Sequence, residues 1–239
     1  MQFIDTHIHL QDDKSNNATD IIHQATEQGC ARMICVSSQE KDWAQVALLA
    51  EQFSDKVVPA FGIHPWYVSE VAEGWSERLE EMLQRFPQAL IGECGLDGMK
   101  PEPEKQKQIF LKQLEIASQY QRQMIIHAVK AVPLMQEYWQ SLPPKFVIHG
   151  FNAKAEFLKQ IIQADGYIGI GGSLLKTQKA KDILALIPAD KMLFETDAPF
   201  QAKAPWQILQ YLSDAAALLG VDKNKLAEQV YHNSMEFMK

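Results

Sequence analysis

Cysteine is scarce in this chain of 239 residues: Cys30, Cys35 and Cys94 are odd in number, and none shows Cys-x-x-Cys spacing. Neither a disulfide framework nor a zinc finger is indicated, and a reducing compartment is expected. Excess positive charge is also missing. The formal net charge of -7 gives no global attraction to nucleic acid, although divalent ions held in a cleft would invert the local sign. No apolar run reaches the roughly eighteen residues of a membrane span. No basic segment with a following apolar stretch precedes the first strand signal, so a cytoplasmic protein without membrane association is expected. Low-complexity tracts and inter-domain linkers are lacking too, and nothing in the pattern calls for an obligate protein partner.

What the sequence does contain is alternation. With 46% apolar and 22% charged residues it can bury one large core. Short apolar runs occupy residues 2–5, 32–37, 57–62, 89–94, 123–126, 146–148, 167–170 and 192–195. Between them, apolar residues recur at helical spacing, as in Trp43, Val46, Ala47, Ala50 and Phe53, or Phe110, Leu114 and Ala117. Pro103 suits a first helical position, and Gly29 and Gly220 sit where helices stop. Strands alternating with helices imply parallel pairing through right-handed crossovers. About eight such units over this length predict an α/β protein with a TIM-like (β/α)8 barrel, one domain over residues 1–239. An open doubly wound sheet is the alternative, weakened because no Gly-x-Gly-x-x-Gly follows an early strand. Gly169, Gly171 and Gly172 read as a tight strand exit, and residues 12–18 and 201–204 as polar loops.

The chemistry is carried by position. Histidines and acids recur at the carboxyl ends of the runs: His7 and His9 at the first, His64 after the third, Glu93 at the fourth, His127 at the fifth, His149 at the sixth and Asp197 at the eighth. In a closed parallel barrel these ends form one rim, so five of the seven histidines would meet there. Strand alternation would put Asp5, His7 and His9 on one face. A buried carboxylate such as Glu93 is costly unless paired or metal-bound, and it can bridge two cations. Each residue alone reads as structural: a salt-bridge partner for Glu93, a turn cap for His64-Pro65, an acidic strand end for Asp197 beside Glu195. Together on one rim they read as a metal site. His23 and His232 fall in helical segments and read as surface or packing residues. No serine or cysteine has a base arrangement, and Cys94 should face away from Glu93.

The ordered set Asp5-x-His7-x-His9, Gly62-Ile63-His64-Pro65, Ile91-Gly92-Glu93-x-Gly95-Leu96-Asp97, Ile126-His127, His149-Gly150-Phe151 and Glu195-Thr196-Asp197-Ala198-Pro199 resembles the TatD-related metal-dependent hydrolases of the amidohydrolase superfamily. The resemblance runs from Phe3 to about Met235 and includes Asn233. It implies two divalent cations: His7, His9 and Asp197 on the first, His127 and His149 on the second, Glu93 between them, and His64 near a substrate phosphate. It also implies metal-dependent DNA cleavage, often from the 3' end. Mixed imidazole and carboxylate ligands suit zinc, manganese or nickel, with magnesium kept open by the resemblance.

Departures from the family pattern fall outside that ligand set. Ala128, Val129 and Lys130 stand where relatives carry an arginine, leaving Lys130 as a poorer phosphate contact. Gly150-Phe151-Asn152-Ala153 and residues 200–205 replace loops usual in relatives. The expected activity is hydrolysis of a phosphodiester, DNA or a small one, by water activated between two cations, with Asp197 taking its proton and Glu93 bridging. Hydrolysis of a small amide or lactone is the alternative, and a non-catalytic metal-binding protein the second. Trp66, Tyr67 and Trp75 would wall the mouth and stack on a base, or pack beneath a helix.

Overall fold

The computed structural model describes residues 1–12 and 17–239. Its first half runs β1 (Phe3–Ile8), α1 (Ala18–Glu27), β2 (Cys30–Val36), α2 (Trp43–Gln52), β3 (Val57–Phe61), α3 (Trp75–Arg85), β4 (Leu90–Asp97) and α4 (Pro103–Tyr120). The second runs β5 (Met124–Val129), α5 (Val132–Met135), β6 (Phe146–Ile148), α6 (Ala155–Gln163), β7 (Tyr167–Ile170), α7 (Gly172–Leu175), α8 (Ala180–Leu184), β8 (Met192–Phe194), α9 (Ile208–Leu219) and α10 (Lys223–Phe237). All ladders are parallel, and the strands lie side by side in chain order.

The seam between β8 and β1 is closed by a single bridge, Ile8 to Ala198. There the Asp197 N–H donates to the His7 carbonyl at 2.9 Å and the His9 N–H to the Ala198 carbonyl at 2.8 Å. Consecutive order with meeting ends makes this the TIM-like barrel and excludes the open doubly wound sheet.

Both faces of each strand are covered, which is why the runs are apolar throughout. Ile34, Val36, Val58, Ala60, Leu90, Ile125, Val147 and Leu193 fill the barrel, and Phe237 at the end of α10 packs edge-on against Tyr167 at 5.2 Å. The alternate residues, among them Met33, Cys35, Ile126, Ile148 and Phe194, face the helices. Each such burial contributes about 1.5–3 kcal/mol. The punctuation follows local chemistry: Pro103 opens α4, and Gly29 (φ 97°) and Gly220 (φ 69°) take the left-handed conformation after α1 and α9. Asn233 ties α10 to the foot of β8, its Nδ2 donating to the carbonyls of Ala189 at 2.7 Å and Met192 at 2.9 Å.

Two strands depart from simple alternation, and both carry site residues. In β1, Asp5 pairs with Met33 and Ile8 with Cys35, three residues against two. In β4, Ile91 pairs with Met124 and Cys94 with Ile126, again three against two. An extra residue of this kind re-aims the side chains beyond it. Leu90 can thus fill the barrel while Glu93, an odd number of residues on, also points inward. Asp5 is turned away from the face of His7 and His9 that alternation predicts. Glu93 and His127 also lie within β4 and β5 instead of at their ends, because both strands run three residues past the predicted stops.

The middle of the expected polar loop at 12–18 lies outside the described residues; Asp12 ends a single turn begun at Leu10, and Ala18 already opens α1. Among the described residues, no helix is long and apolar enough to cross a membrane.

Candidate metal centre

At the carboxyl end of the barrel, β1, β4, β5, β6 and the segments after β3 and β8 direct imidazoles and carboxylates to one place. Glu93, 4% exposed, is at its centre. Its Oε2 faces His7 Nε2 at 3.4 Å and His9 Nε2 at 3.6 Å. Its Oε1 faces His64 Nε2 at 3.2 Å, His127 Nδ1 at 3.1 Å and His149 Nε2 at 2.7 Å. Asp197 Oδ1 lies 3.4 Å from His9 Nε2 and 3.9 Å from His7 Nε2. Three trios have donor atoms close enough to hold an ion: His7, His9 and Asp197; His7, Glu93 and His149; His64, Glu93 and His127.

The charges in this pocket respond to one another. Burial alone would raise the Glu93 carboxyl, but the charges of His149 and His64 and hydrogen bonds from His127 and His149 outweigh it and hold it well below its usual range. Burial opposes protonation of His149, yet Glu93 and Glu195 draw it well above the ordinary value. His9 and His127 are raised in the same way, by Asp197 and by Asp97. His7 and His64 are lowered, because burial prevails. Asp197 is lowered: the His9 hydrogen bond and the charges of His7, His149 and His9 outweigh its burial.

The donor set fits a divalent cation. His7 Nε2 and His9 Nε2 face each other at 3.0 Å, an arrangement in which two lone pairs converge on one point. Four buried carboxylates, Glu93, Asp97, Glu195 and Asp197, stand among these rings, and among the described residues none is ion-paired with lysine or arginine. Bound cations of high charge are what such a cluster accommodates.

Two carboxylates that the sequence reading left unassigned orient rings. Asp97 Oδ2 lies 3.1 Å from His127 Nε2, and Glu195 Oε1 lies 3.5 Å from His149 Nδ1, which leaves the opposite nitrogen of each ring toward Glu93. Asp97 also accepts the Trp66 indole N–H at 2.7 Å. Once β4 is known to turn inward at Glu93, alternation through Gly95 reaches Asp97, a signal present in the sequence. Gly169 is explained by the same carboxylate, since a Cβ there would lie 2.3 Å from Glu195 Oε2. Gln201 Nε2 donates to Asp197 Oδ2 at 2.6 Å.

Asp5 is not part of the cluster. Its Oδ1 accepts from the backbone N–H groups of His7 at 3.2 Å and Thr196 at 3.0 Å, and its Oδ2 from the Thr196 hydroxyl, stitching the seam beneath His7 and Asp197. Burial pushes its carboxyl up to about 8. His64 both caps and faces the centre: its Nδ1 accepts the Trp66 N–H at 3.0 Å while its Nε2 meets Glu93. Lys130 is exposed just past β5 and makes no ion pair or hydrogen bond with the cluster among the described residues. Trp66 is half exposed at the mouth, whereas Trp75 is buried packing. Cys94 points into the apolar shell, its thiol raised well above the usual range by burial. His23 and His232 are exposed on helices.

The sequence matches the TatD related DNase family over residues 4–239. It is 29% identical over 207 residues to the uncharacterized metal-dependent hydrolase YjjV of Escherichia coli, spanning 83% of this chain and 80% of that protein. It is 30% identical over 188 residues to the 3'-5' ssDNA/RNA exonuclease TatD of Pectobacterium atrosepticum, spanning 75% and 72%. The crystal structure of YjjV, a TatD homologue from Escherichia coli, has a TM-score of 0.90 at 26% identity over 98% of this chain and 97% of that one. With its barrel, its buried histidine and carboxylate cluster and a match over nearly its whole length, the chain belongs to the TatD-related DNase family and is a metal-dependent hydrolase.

Proposed function

We propose that the chain is a single-domain, two-metal phosphodiesterase that cleaves DNA. The observation that carries this reading is the division of Glu93, one oxygen toward His7 and His9 and the other toward His127 and His149. His7, His9 and Asp197 would hold one divalent cation and His127 and His149 the other, with Glu93 shared. Four carboxylates at one negative charge each are balanced by two such ions. Zinc, manganese or nickel suits these ligands, and magnesium is the oxygen-preferring alternative. When bound, the pair of cations supplies Lewis-acid polarisation of a phosphoryl oxygen and acidifies water.

The residues divide the remaining work. Asp97 holds His127 by a hydrogen bond in the tautomer that leaves a lone pair for a cation, and Glu195, 3.5 Å from His149 Nδ1, favours the same tautomer there. His64 has its Nδ1 occupied by the Trp66 N–H, so its neutral ring carries the proton on Nε2. A donor there suits a phosphate oxygen of the substrate better than a metal. Asp197, through the oxygen turned away from His7 and His9, receives the proton of the attacking water, while Gln201 keeps the carboxylate oriented. The curated relative named as a 3'-5' ssDNA/RNA exonuclease supports nucleic acid as the substrate class.

The test is to load the protein with each cation and incubate it with DNA ends, bis-p-nitrophenyl phosphate and a panel of lactones and amides, with and without chelator. Chelator-sensitive release of nucleotides from DNA is expected. Turnover of lactones or amides without any phosphodiester cleavage would overturn the assignment.

A further inference from the structure

Nine large apolar side chains are strongly exposed among the described residues, and the two aromatic ones, Trp66 and Phe200, both touch histidines of the centre. Trp66 is committed: its N–H donates to Asp97, and the Lys100 ammonium lies 3.8 Å from its ring centroid. Phe200 is not. It is 65% exposed and makes a T-shaped contact with His9, ring centroids 5.1 Å apart at 73°, which leaves an exposed ring beside the His9 and Asp197 corner.

Behind Phe200 lies a cleft of about 770 Å³ that is walled also by Gln201, Trp206, Lys176 and Lys203. No acidic side chain lines it among the described residues, in a chain whose net charge is -7. Lys176 and Lys203 are exposed, and neither forms an ion pair among the described residues. An exposed aromatic ring between a hydrolytic centre and a cleft with two uncommitted cations matches unpaired nucleic acid, in which bases stack and phosphates seek lysine.

We propose that Phe200 and the cleft behind it form a strand-binding subsite: an unpaired base next to the scissile phosphate stacks on Phe200, and the phosphates beyond it are met by Lys176 and Lys203. This rests on the phosphodiesterase reading and adds to it where the strand runs and why its bases must be unpaired. A base inside a duplex is covered by stacking neighbours on both faces and could not present one to the ring. The phosphate contact that relatives' arginine would make after β5 is thereby supplied from other segments, α7's end and the loop after β8, in place of Lys130.

Binding is measured on chelator-treated protein with a fluorescein-labelled single-stranded tetranucleotide, and cleavage on the metal-loaded protein with the same oligonucleotide. Phe200→Ala should weaken both about tenfold while Phe200→Tyr keeps wild-type values. With an oligonucleotide made abasic at the positions next to its end, wild type should fall to the level of Phe200→Ala and the variant should lose nothing more. Lys176→Gln with Lys203→Gln should lower the dependence of log affinity on log salt by about 1.4. Unchanged folding is read by thermal unfolding, to which an exposed ring contributes little. Cleavage of DNA by wild type that is indifferent to the abasic positions, or an equal loss in Phe200→Ala on intact and abasic strands, overturns the subsite alone. Failure of the loaded wild type to cleave any oligonucleotide overturns the phosphodiesterase reading and the subsite with it.

Discussion

Replacing Glu93 with Gln keeps the shape of the side chain, removes its charge and turns an N–H2 donor toward ring nitrogens. In the metal-free protein His149 is drawn well above the ordinary histidine value, with Glu93 the leading influence against burial. Stranding a charged ring there would cost about 3–5 kcal/mol. The ring escapes that cost by releasing its proton, so what the variant loses is the stabilisation that wild type draws from the ionised pair. The sign follows from linkage. Wild-type His149, with a raised folded pKa, contributes stability that is present below the unfolded value of about 6.5 and is lost as pH rises through the folded one. The variant lacks that contribution and its buried ring resists protonation, so it should fall behind by about 1.4 kcal/mol for each pH unit of acidification below the raised wild-type value. For a chain of this size that is about 3–6 °C per unit in the thermal midpoint. Unfolding scans of both metal-free proteins from about pH 7.5 to about pH 5.5 should therefore show the variant already less stable at the upper end and falling further behind toward the lower. A gap that is constant, or that closes on acidification, refutes the ionised pair. With cation added, the variant should lose most bound metal and at least about a hundredfold in turnover, since even outer partners of ligands are worth that much.

Three further outcomes follow from the geometry. Asp197→Asn should lower turnover far more than metal content, because Asn tolerates the positive φ of 52° at this position and keeps an oxygen for the ion; loss of metal with proportionate loss of activity would remove the proton-transfer role. Gly169→Ala should weaken metal affinity about 10–100-fold by driving its methyl into Glu195 and loosening His149, and competition against a chromophoric chelator that gives wild-type affinity would refute the orienting role of Glu195. Asp97→Asn should likewise weaken the cation at His127, but Trp66→Phe, which deletes only the indole donor to Asp97, should not; equal metal loss in the two would show that Asp97 holds His127 only with the indole hydrogen bond in place.

The barrel was legible because each strand is covered on both faces and therefore reads as a continuous apolar run, and because prolines and glycines mark the crossovers. The candidate ligands were legible for a related reason: a polar residue directly after an apolar run has no place in either core. What escaped were effects of register and of contact between distant segments. Alternation alone misassigns Asp5 and gives no sign that β4 turns Glu93 inward, because an extra residue in a strand has no compositional mark. Gly169 reads as a strand exit until Glu195 is seen to need its space. The cleft behind Phe200 is assembled from α1, the end of α7 and the loop after β8, which no local pattern connects.

The central claim is that Glu93 is shared between two cations. Dialysed wild-type protein titrated with manganese or zinc, with bound metal counted per chain and hydrolysis followed in parallel, tests it most directly. Two ions per chain, with activity rising as the second binds, is the predicted result. Full hydrolytic activity at one ion per chain would contradict it.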